Sequence, residues 1–288
     1  MFESFESRLE ITGWLTAETA MHLGAGRSTE LLGTDLPVVR DARGLPYIPG
    51  SSFKGVLRSR LESMLRAVAD GRDSRRFACN PTAEDEWCVT NEEAKRLKEE
   101  VRKLEASGRD QALTDRLVAK TCPVCCTFGS PWLASPLVLS DLPVDEELWA
   151  GQFQVRNGVA IDRDTETAED GKLYDYEVVP PGARFRLRLL LDNAQPWQYG
   201  MLFAGLKMFE DATAPVGGGR SRGLGWMRLR REQTRLFSLR GKLGADRADA
   251  ICSFLAGDGF VPVSDKMIAG WLADFRGKLG AMALQGGA

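Results

Sequence analysis

Residues 183–192 constrain the chain most. In ARFRLRLLLD, Phe185, Leu187, Leu189 and Leu191 fall on one side, while Arg184, Arg186 and Arg188 fall on the other. A period of two is the signature of a half-buried strand, with one face on the core and one toward solvent. The opening stretch repeats it over residues 8–16: Leu9, Ile11 and Leu15 oppose Glu10, Thr12, Trp14 and Thr16. Next, Phe53, Val56, Leu57, Leu61, Met64, Leu65 and Val68 recur at helical spacing behind Ser51 and Ser52, which can cap that helix. Lys54, Arg58 and Glu62 share another face of it. Residues 136–142 and 152–161 read as strands, 196–210 as a helix, and WMRLRR after the glycine loop as a short strand. The order strand, helix, strands, then strand, helix, strand is the split βαβ plan, giving an α+β, ferredoxin-like expectation.

Two segments stand apart from that plan. Residues 70–127 hold five cysteines around a charged stretch that reads as one or two exposed helices, an insertion. Residues 232–288 carry a helical pattern through Ile251, Phe254 and Leu255, then Ile268, Trp271, Leu272 and Phe275. Residues 21–50 form a long loop, ordered by Leu31, Leu32, Val38, Val39, Tyr47 and Ile48. A chain of 288 residues buries about 75% of its unfolded surface and needs no disulfide staples. No run of about 18 apolar residues exists and the N-terminus lacks a basic, apolar leader, so the expectation is a cytoplasmic protein without a membrane span. In a reducing compartment cysteines act as metal ligands or buried thiols.

Charge is balanced overall, 38 Lys+Arg against 40 Asp+Glu, but not locally. Residues 215–240 hold seven Arg against Glu232 alone, which implies either a polyanion-facing side or a salt-bridged surface.

Four motifs carry chemistry. Cys122 and Cys125 form a CxxC, a spacing that suits a tetrahedral metal; Cys79 and Cys88 supply a second, looser pair, and Cys126 is an alternative to Cys125. Together they predict one structural Zn2+ site. The loop GGGRSRGLG (217–225) is either an anion-holding concavity or a tight turn; it is not a Walker A loop, so nucleotide hydrolysis is not indicated. The stretch IPGSSFKGVLRSRLE leads a helix N-terminus, hydroxyls and bases toward an anion site, or is simply a capped helix. Asp35, just before Leu36 and Pro37, is locally a turn residue, although a carboxylate beside RNA can hold a divalent ion. The single His, His22, excludes a two-His nuclease site within one chain.

Residues 22–62, HLGAGRSTELLGTDLPVVRDARGLPYIPGSSFKGVLRSRLE, resemble the hallmark block of the CRISPR RAMP superfamily, and GGGRSRGLGWMRL resembles its glycine-rich loop. Residues 157–185 resemble the thumb hairpin and following strand of the backbone subunits of type III effector complexes. The resemblance implies an RRM-like core over 1–69 and 128–231 with a thumb at about 155–182, while the cysteine pattern gives the zinc-binding helical insertion at 70–127 and the helical pattern gives the extension at 232–288. It implies copies stacked along a CRISPR RNA beside other effector subunits, and cleavage of target RNA by a loop Asp with Mg2+ or Mn2+. Asp35 occupies that position. The RNA contacts it implies are His22, Arg40, Ser51, Ser52, Lys54, Arg58, Arg156, Arg163, Gly218, Gly219, Arg220, Ser221 and Arg222. Alternatives are a scaffold that does not cut, and a standalone guide-maturing enzyme, which would depend on His22 as a base.

Overall fold

The computed structural model describes residues 4–26, 34–69, 71, 73–103, 108–159, 162–164, 166–167 and 173–284. Leu31, Leu32, Glu169 and Asp170, which bear on the loop and thumb expectations, lie outside them.

The long strands form where the alternation requires. β1 (Ser7–Ala17) is central, and antiparallel β7 (Arg184–Asp192) and β8 (Met227–Ser238) flank it. The five-stranded sheet is completed by the short strands β3 (Leu137–Leu139) beside β7 and β9 (Val261–Pro262) beside β8. Two short pairs lie apart: β2 (Tyr47–Ile48) with β4 (Leu142–Pro143), and β5 (Gln154–Gly158) with β6 (Tyr174–Val178). The segment expected to be one strand over 136–142 is therefore split between two sheets, and β8 is twice as long as WMRLRR suggested. One residue of β8 is extra: Thr12 pairs with Gln233 and Gly13 with Arg231, leaving Glu232 in a bulge. A Cβ at Gly13 would lie 2.3 Å from the Arg230 carbonyl oxygen, so the bulge needs glycine there.

Two helices cover one face of the sheet. Phe53, Leu57, Leu61 and Leu65 of α1 (Gly50–Ala67) and Met201, Leu202, Leu206 and Phe209 of a later helix, Pro196–Glu210, are buried in one cluster with Leu9, Ile11, Leu15, Phe185, Leu187, Leu189 and Leu191. The expected serine cap is not made. The N-cap is Pro49, and Met64, counted on the core face, is 51% exposed. The insertion supplies α2 (Asn91–Arg102), opened by a Thr90–Glu93 capping box, and α3 (Arg109–Lys120). These share a satellite cluster of Val89, Ala94, Leu97, Leu117 and Leu133. The ends of the insertion are not separate from the core: Phe77, Ala78, Cys79, Val124, Cys125 and Phe128 belong to the main cluster, the last three on the short helix α4 (Pro123–Phe128).

The opposite sheet face is a lattice of paired charges. Arg184 meets Asp145 at 2.6 Å, Arg186 meets Glu232 at 2.9 Å, and Arg188 and Arg235 both meet the buried Glu10. Trp14 lies between the guanidinium groups of Arg184 and Arg186, 4.7 and 4.8 Å from its ring. Three of the seven arginines of the stretch 215–240 are thus neutralised in the fold, Arg228 by Glu18, Arg231 by Glu210 and Arg235 by Glu10, while Arg222 and Arg240 donate to the Tyr174 hydroxyl and the Ala194 carbonyl. Among the described residues, only Arg220 and Arg230 of its seven arginines have no side-chain hydrogen bond or ion pair.

With Pro196–Glu210 counted as α5, the C-terminal segment straddles the sheet edge. α6 (Gly244–Leu255) brings Phe254 within 4.6 Å of Phe237, and α7 (Asp265–Leu284) lays Trp271 and Phe275 on α5. The helices α5 and α7 meet at Gly200, where a Cβ would lie 2.0 Å from the Trp271 carbonyl oxygen and 2.9 Å from Phe275 Cβ. Backbone and inner side-chain atoms cannot swing aside. Gly200→Ala should lower stability by about 1–3 kcal/mol, read by thermal unfolding; an unchanged transition would mean that α7 is not seated there.

Candidate functional site

The C-terminal end of β1 leads into the hallmark loop. Met21 bridges to Val179, and the Gly218 N–H donates to the His22 carbonyl oxygen at 2.8 Å. Gly217 sits at φ +91° with its missing Cβ 2.3 Å from that same oxygen, so strand and glycine loop touch only because residue 217 is glycine. The loop's own amides are largely used: those of Arg222 and Leu224 bond Gly219, that of Gly223 bonds Arg220, and that of Gly225 bonds Ala20. This is the tight turn, with the side chains of Arg220, Ser221 and Arg222 exposed on its crest. Arg222 donates to the Tyr174 hydroxyl at 2.7 Å, tying the crest to β6.

The Asp35 segment is clamped between two strands. On one side Gly24 bridges to Val38, and the Val39 amide donates to Leu23. On the other, Leu36 donates to the Asp175 carbonyl and accepts from the Glu177 amide, a parallel bridge to β6. Asp35 itself is exposed; its Oδ2 accepts the Asp175 N–H at 3.1 Å, and among the described residues its Oδ1 has no hydrogen bond. Glu177 lies beneath. Its carboxylate accepts from the Val38 amide at 3.1 Å, from Arg40 and from the Thr34 hydroxyl, and its backbone carbonyl accepts from His22 Nδ1 at 2.6 Å. A carbonyl only accepts, so the proton sits on Nδ1. Tyr174 and Tyr176 project from the other face of β6, with Arg156 directly across from Tyr176 in the β5–β6 register. Arg163 is exposed in the 162–164 turn.

The four cysteines converge. The sulfurs of Cys79, Cys88, Cys122 and Cys125 lie within 4.8 Å of one another, Cys79 and Cys125 at 3.4 Å. A tetrahedron of 2.3 Å metal–sulfur bonds has edges of about 3.8 Å, so this set could hold a metal ion such as zinc. Hydrogen bonds from Cys122, Cys125 and Cys88 draw the Cys79 thiol far down, while Cys122, Cys79 and Cys88 drive Cys125 far up. Four crowded sulfurs become thiolates together only around a cation. Cys126 points elsewhere, toward the Thr121 carbonyl, and burial pushes its thiol up to about 12. The expected set Cys79, Cys88, Cys122 and Cys125 is the one that converges, and Cys126, the alternative to Cys125, is not part of it.

The sequence profile of the RAMP superfamily matches residues 14–228. The chain belongs to the RAMP superfamily. Among its relatives, a Methanocaldococcus jannaschii protein named CRISPR system Cms endoribonuclease Csm3 is 26% identical over 234 residues, 79% of this chain and 80% of that protein. The protein of the same name from Methanothermobacter thermautotrophicus is 45% identical over 69 residues, so the match spans 23% of this chain and only 28% of that relative. Among the described residues, no helix of this RAMP protein is long and apolar enough to cross a membrane.

Within this RAMP chain the α1 motif is not the free anion site its sequence suggested. The Gly50 N–H donates to the Asp141 carboxylate at 2.8 Å, so a side chain of the protein takes the anion's place. Lys54 Nζ is held by Ser135 Oγ at 2.7 Å and the Leu137 carbonyl at 2.8 Å, and burial, then the nearby Arg58, lowers its pKa. Arg58 bonds Glu62, the Gly129 carbonyl and Cys125 Sγ. Arg40 is paired with Glu177 and lies 3.8 Å over the Phe153 ring. Ser51 is exposed and Ser52 half-buried. Glu177, Tyr174 and Tyr176 lie in the thumb-like stretch 157–185 but had no individual role in the sequence, because they meet the loop from well over a hundred residues away. Lys54→Met should cost about 1–3 kcal/mol by stripping Leu137 and Ser135 of a buried charged donor, whereas Arg220→Ala should stay within about 0.5 kcal/mol. Thermal unfolding of both variants checks this; a neutral Lys54→Met would return that lysine to the surface.

Proposed function

We propose that this chain is a guide-binding backbone subunit of a type III CRISPR complex and cuts complementary target RNA through Asp35 with Mg2+ or Mn2+. The observation that carries the reading is the Asp35 carboxylate: exposed, held by Oδ2 to the Asp175 amide, and with Oδ1 uncommitted. A carboxylate held by one oxygen with the other open suits a divalent ion, which would supply compensation for charge building on a phosphate. The RNA provides its own nucleophile. Its 2′-oxygen forms a bond to the adjacent phosphorus as it loses its proton, and the bond from phosphorus to the 5′-oxygen breaks, leaving a 2′,3′-cyclic phosphate and a 5′-hydroxyl that takes up a proton. Asp35 presents Oδ1 beside that phosphate.

The rest of the reading follows the same surface. Arg220, Ser221, Arg222, His22, Gly218, Gly219 and Arg156 border the loop that carries Asp35 and offer the guide and target backbone its contacts, with Arg163 farther along the β5–β6 thumb; Lys54, Arg58, Ser51 and Ser52 contribute by shaping α1. The core is ferredoxin-like: the order β3-β7-β1-β8 with α1 and α5 between its strands supports that plan. The cysteine set holds one structural Zn2+, which α4 and the Cys79 segment share. Neighbouring copies and other effector subunits are the partners, in the cytoplasm.

In the assembled complex, Asp35→Ala should slow cutting at this subunit's site by about a hundredfold or more while target capture persists, as read on labelled target RNA. Unchanged cutting favours the scaffold reading. Metal analysis should find about one zinc per chain, lost in Cys125→Ser and kept in Cys126→Ser; equal zinc in both variants would break the ligand assignment.

A further inference from the structure

We propose that Glu177 is the positioning residue of the Asp35 loop. The inference rests on the reading of Asp35 as the cutting group, and it concerns a residue of the thumb-like stretch 157–185 that had no individual role in the sequence.

Three contacts converge on this one carboxylate from a single loop. Oε2 accepts the Val38 N–H at 3.1 Å and the Arg40 guanidinium at 2.5 Å; Oε1 accepts the Thr34 hydroxyl at 3.4 Å. Thr34 and Val38 stand on either side of Asp35 and Pro37, so the carboxylate grips the loop before and after the residue that projects. Val38 is 2% exposed, and its N–H has no other partner among the described residues. Removing the acceptor would leave a buried donor unmade, which drives the loop to rearrange. It would also release Arg40 as an uncompensated cation.

The same residue fixes the neighbouring imidazole by a different atom. The Glu177 carbonyl accepts from His22 Nδ1, a main-chain contact that a side-chain substitution retains. Glu177 variants therefore separate the loop from the histidine. Asp35 has one tie of its own, to the Asp175 amide, and that amide belongs to the strand Glu177 anchors. The main-chain bonds of Leu36, Pro37 and Val39 lay the loop against its neighbours, and the Glu177 carboxylate adds the side-chain ties that hold it at Thr34, Val38 and Arg40, on both sides of Asp35.

The test uses the assembled complex with Glu177→Ala and Glu177→Gln. Glutamine keeps one acceptor but turns an N–H group toward a donor, so it should be intermediate. Hydrogen exchange of the peptide covering residues 34–40 should quicken at the Val38 amide at least tenfold in Glu177→Ala. Cutting should fall at least tenfold, with guide retention and target capture unchanged, and Mn2+ should be needed at higher concentration. Unchanged exchange overturns the proposal. Quickened exchange with normal cutting also overturns it, provided Asp35→Ala abolishes cutting. If Asp35→Ala cuts normally, the functional reading has failed instead, and exchange alone decides whether Glu177 holds the loop. If Glu177→Ala fails to assemble, Glu177→Gln supplies the same two readings.

Discussion

Everything in this fold hangs from the pairing of β1 on both of its edges. Its antiparallel registers with β7 and β8 set which residues face the helices and which face the charged lattice, because a slip of one residue would exchange the two sets. The bulge at Gly13 lets β8 follow the sheet past that point, and the added length allows β9, α6 and α7 to wrap its far edge. At the other end, β1 releases the chain directly into the His22 strand. The glycine loop, the Asp35 segment and β6 are assembled on that short extension, so the candidate site is an outgrowth of the central strand and not of the helices.

A second constraint is charge economy. The stretch richest in arginine spends three of its seven cations on Glu18, Glu210 and Glu10, and the sheet arginines Arg184, Arg186 and Arg188 are paired with Asp145, Glu232 and Glu10. Sequence distance concealed those partners. What remains open to a polyanion near the glycine-loop crest is a smaller set, Arg220 with Arg222 and Arg156 beside the two tyrosines of β6; the other arginine of the stretch without a side-chain partner among the described residues, Arg230, lies out on β8. The bases of α1 serve a different purpose. Arg58 and Arg66 reach the Cys125 sulfur and the Ala78 and Cys79 carbonyls, so the helix that covers the sheet also braces the cysteine cluster.

The periodic parts of the molecule were legible in the sequence because burial imposes a period. β1, β7, α1 and α5 all lie within a residue or two of their expected bounds. The four cysteines were legible because thiolates around one ion need few sequence rules beyond spacing. The Asp35 surroundings were not. His22 and Asp35 stand out as motif residues, but Glu177 looks like any strand acid, and its role exists only once β6 is laid against the loop. Lys54 misled for the complementary reason: its helical position is surface-like by pattern, yet Ser135 and Leu137 come over it from the far side of the insertion. The serine cap failed because the helix starts earlier, with Pro49 as its N-cap, which leaves Ser51 and Ser52 inside the first turn, and because the Gly50 amide is met by Asp141 from 91 residues away.

The central claim is that the Asp35 carboxylate, and not the N-terminus of α1, faces the phosphate that is cut. The most direct measurement is a structure of the assembled particle with guide and a target carrying a 2′-deoxy nucleotide at the cleavage position, which stalls the reaction with both strands in place. The account predicts a cation between Asp35 Oδ1 and the scissile phosphate, with Arg220 and Arg222 along the backbone and Lys54 still bound to Ser135. A scissile phosphate seated instead on Ser51, Ser52 and Lys54, with Asp35 turned to solvent, would contradict it.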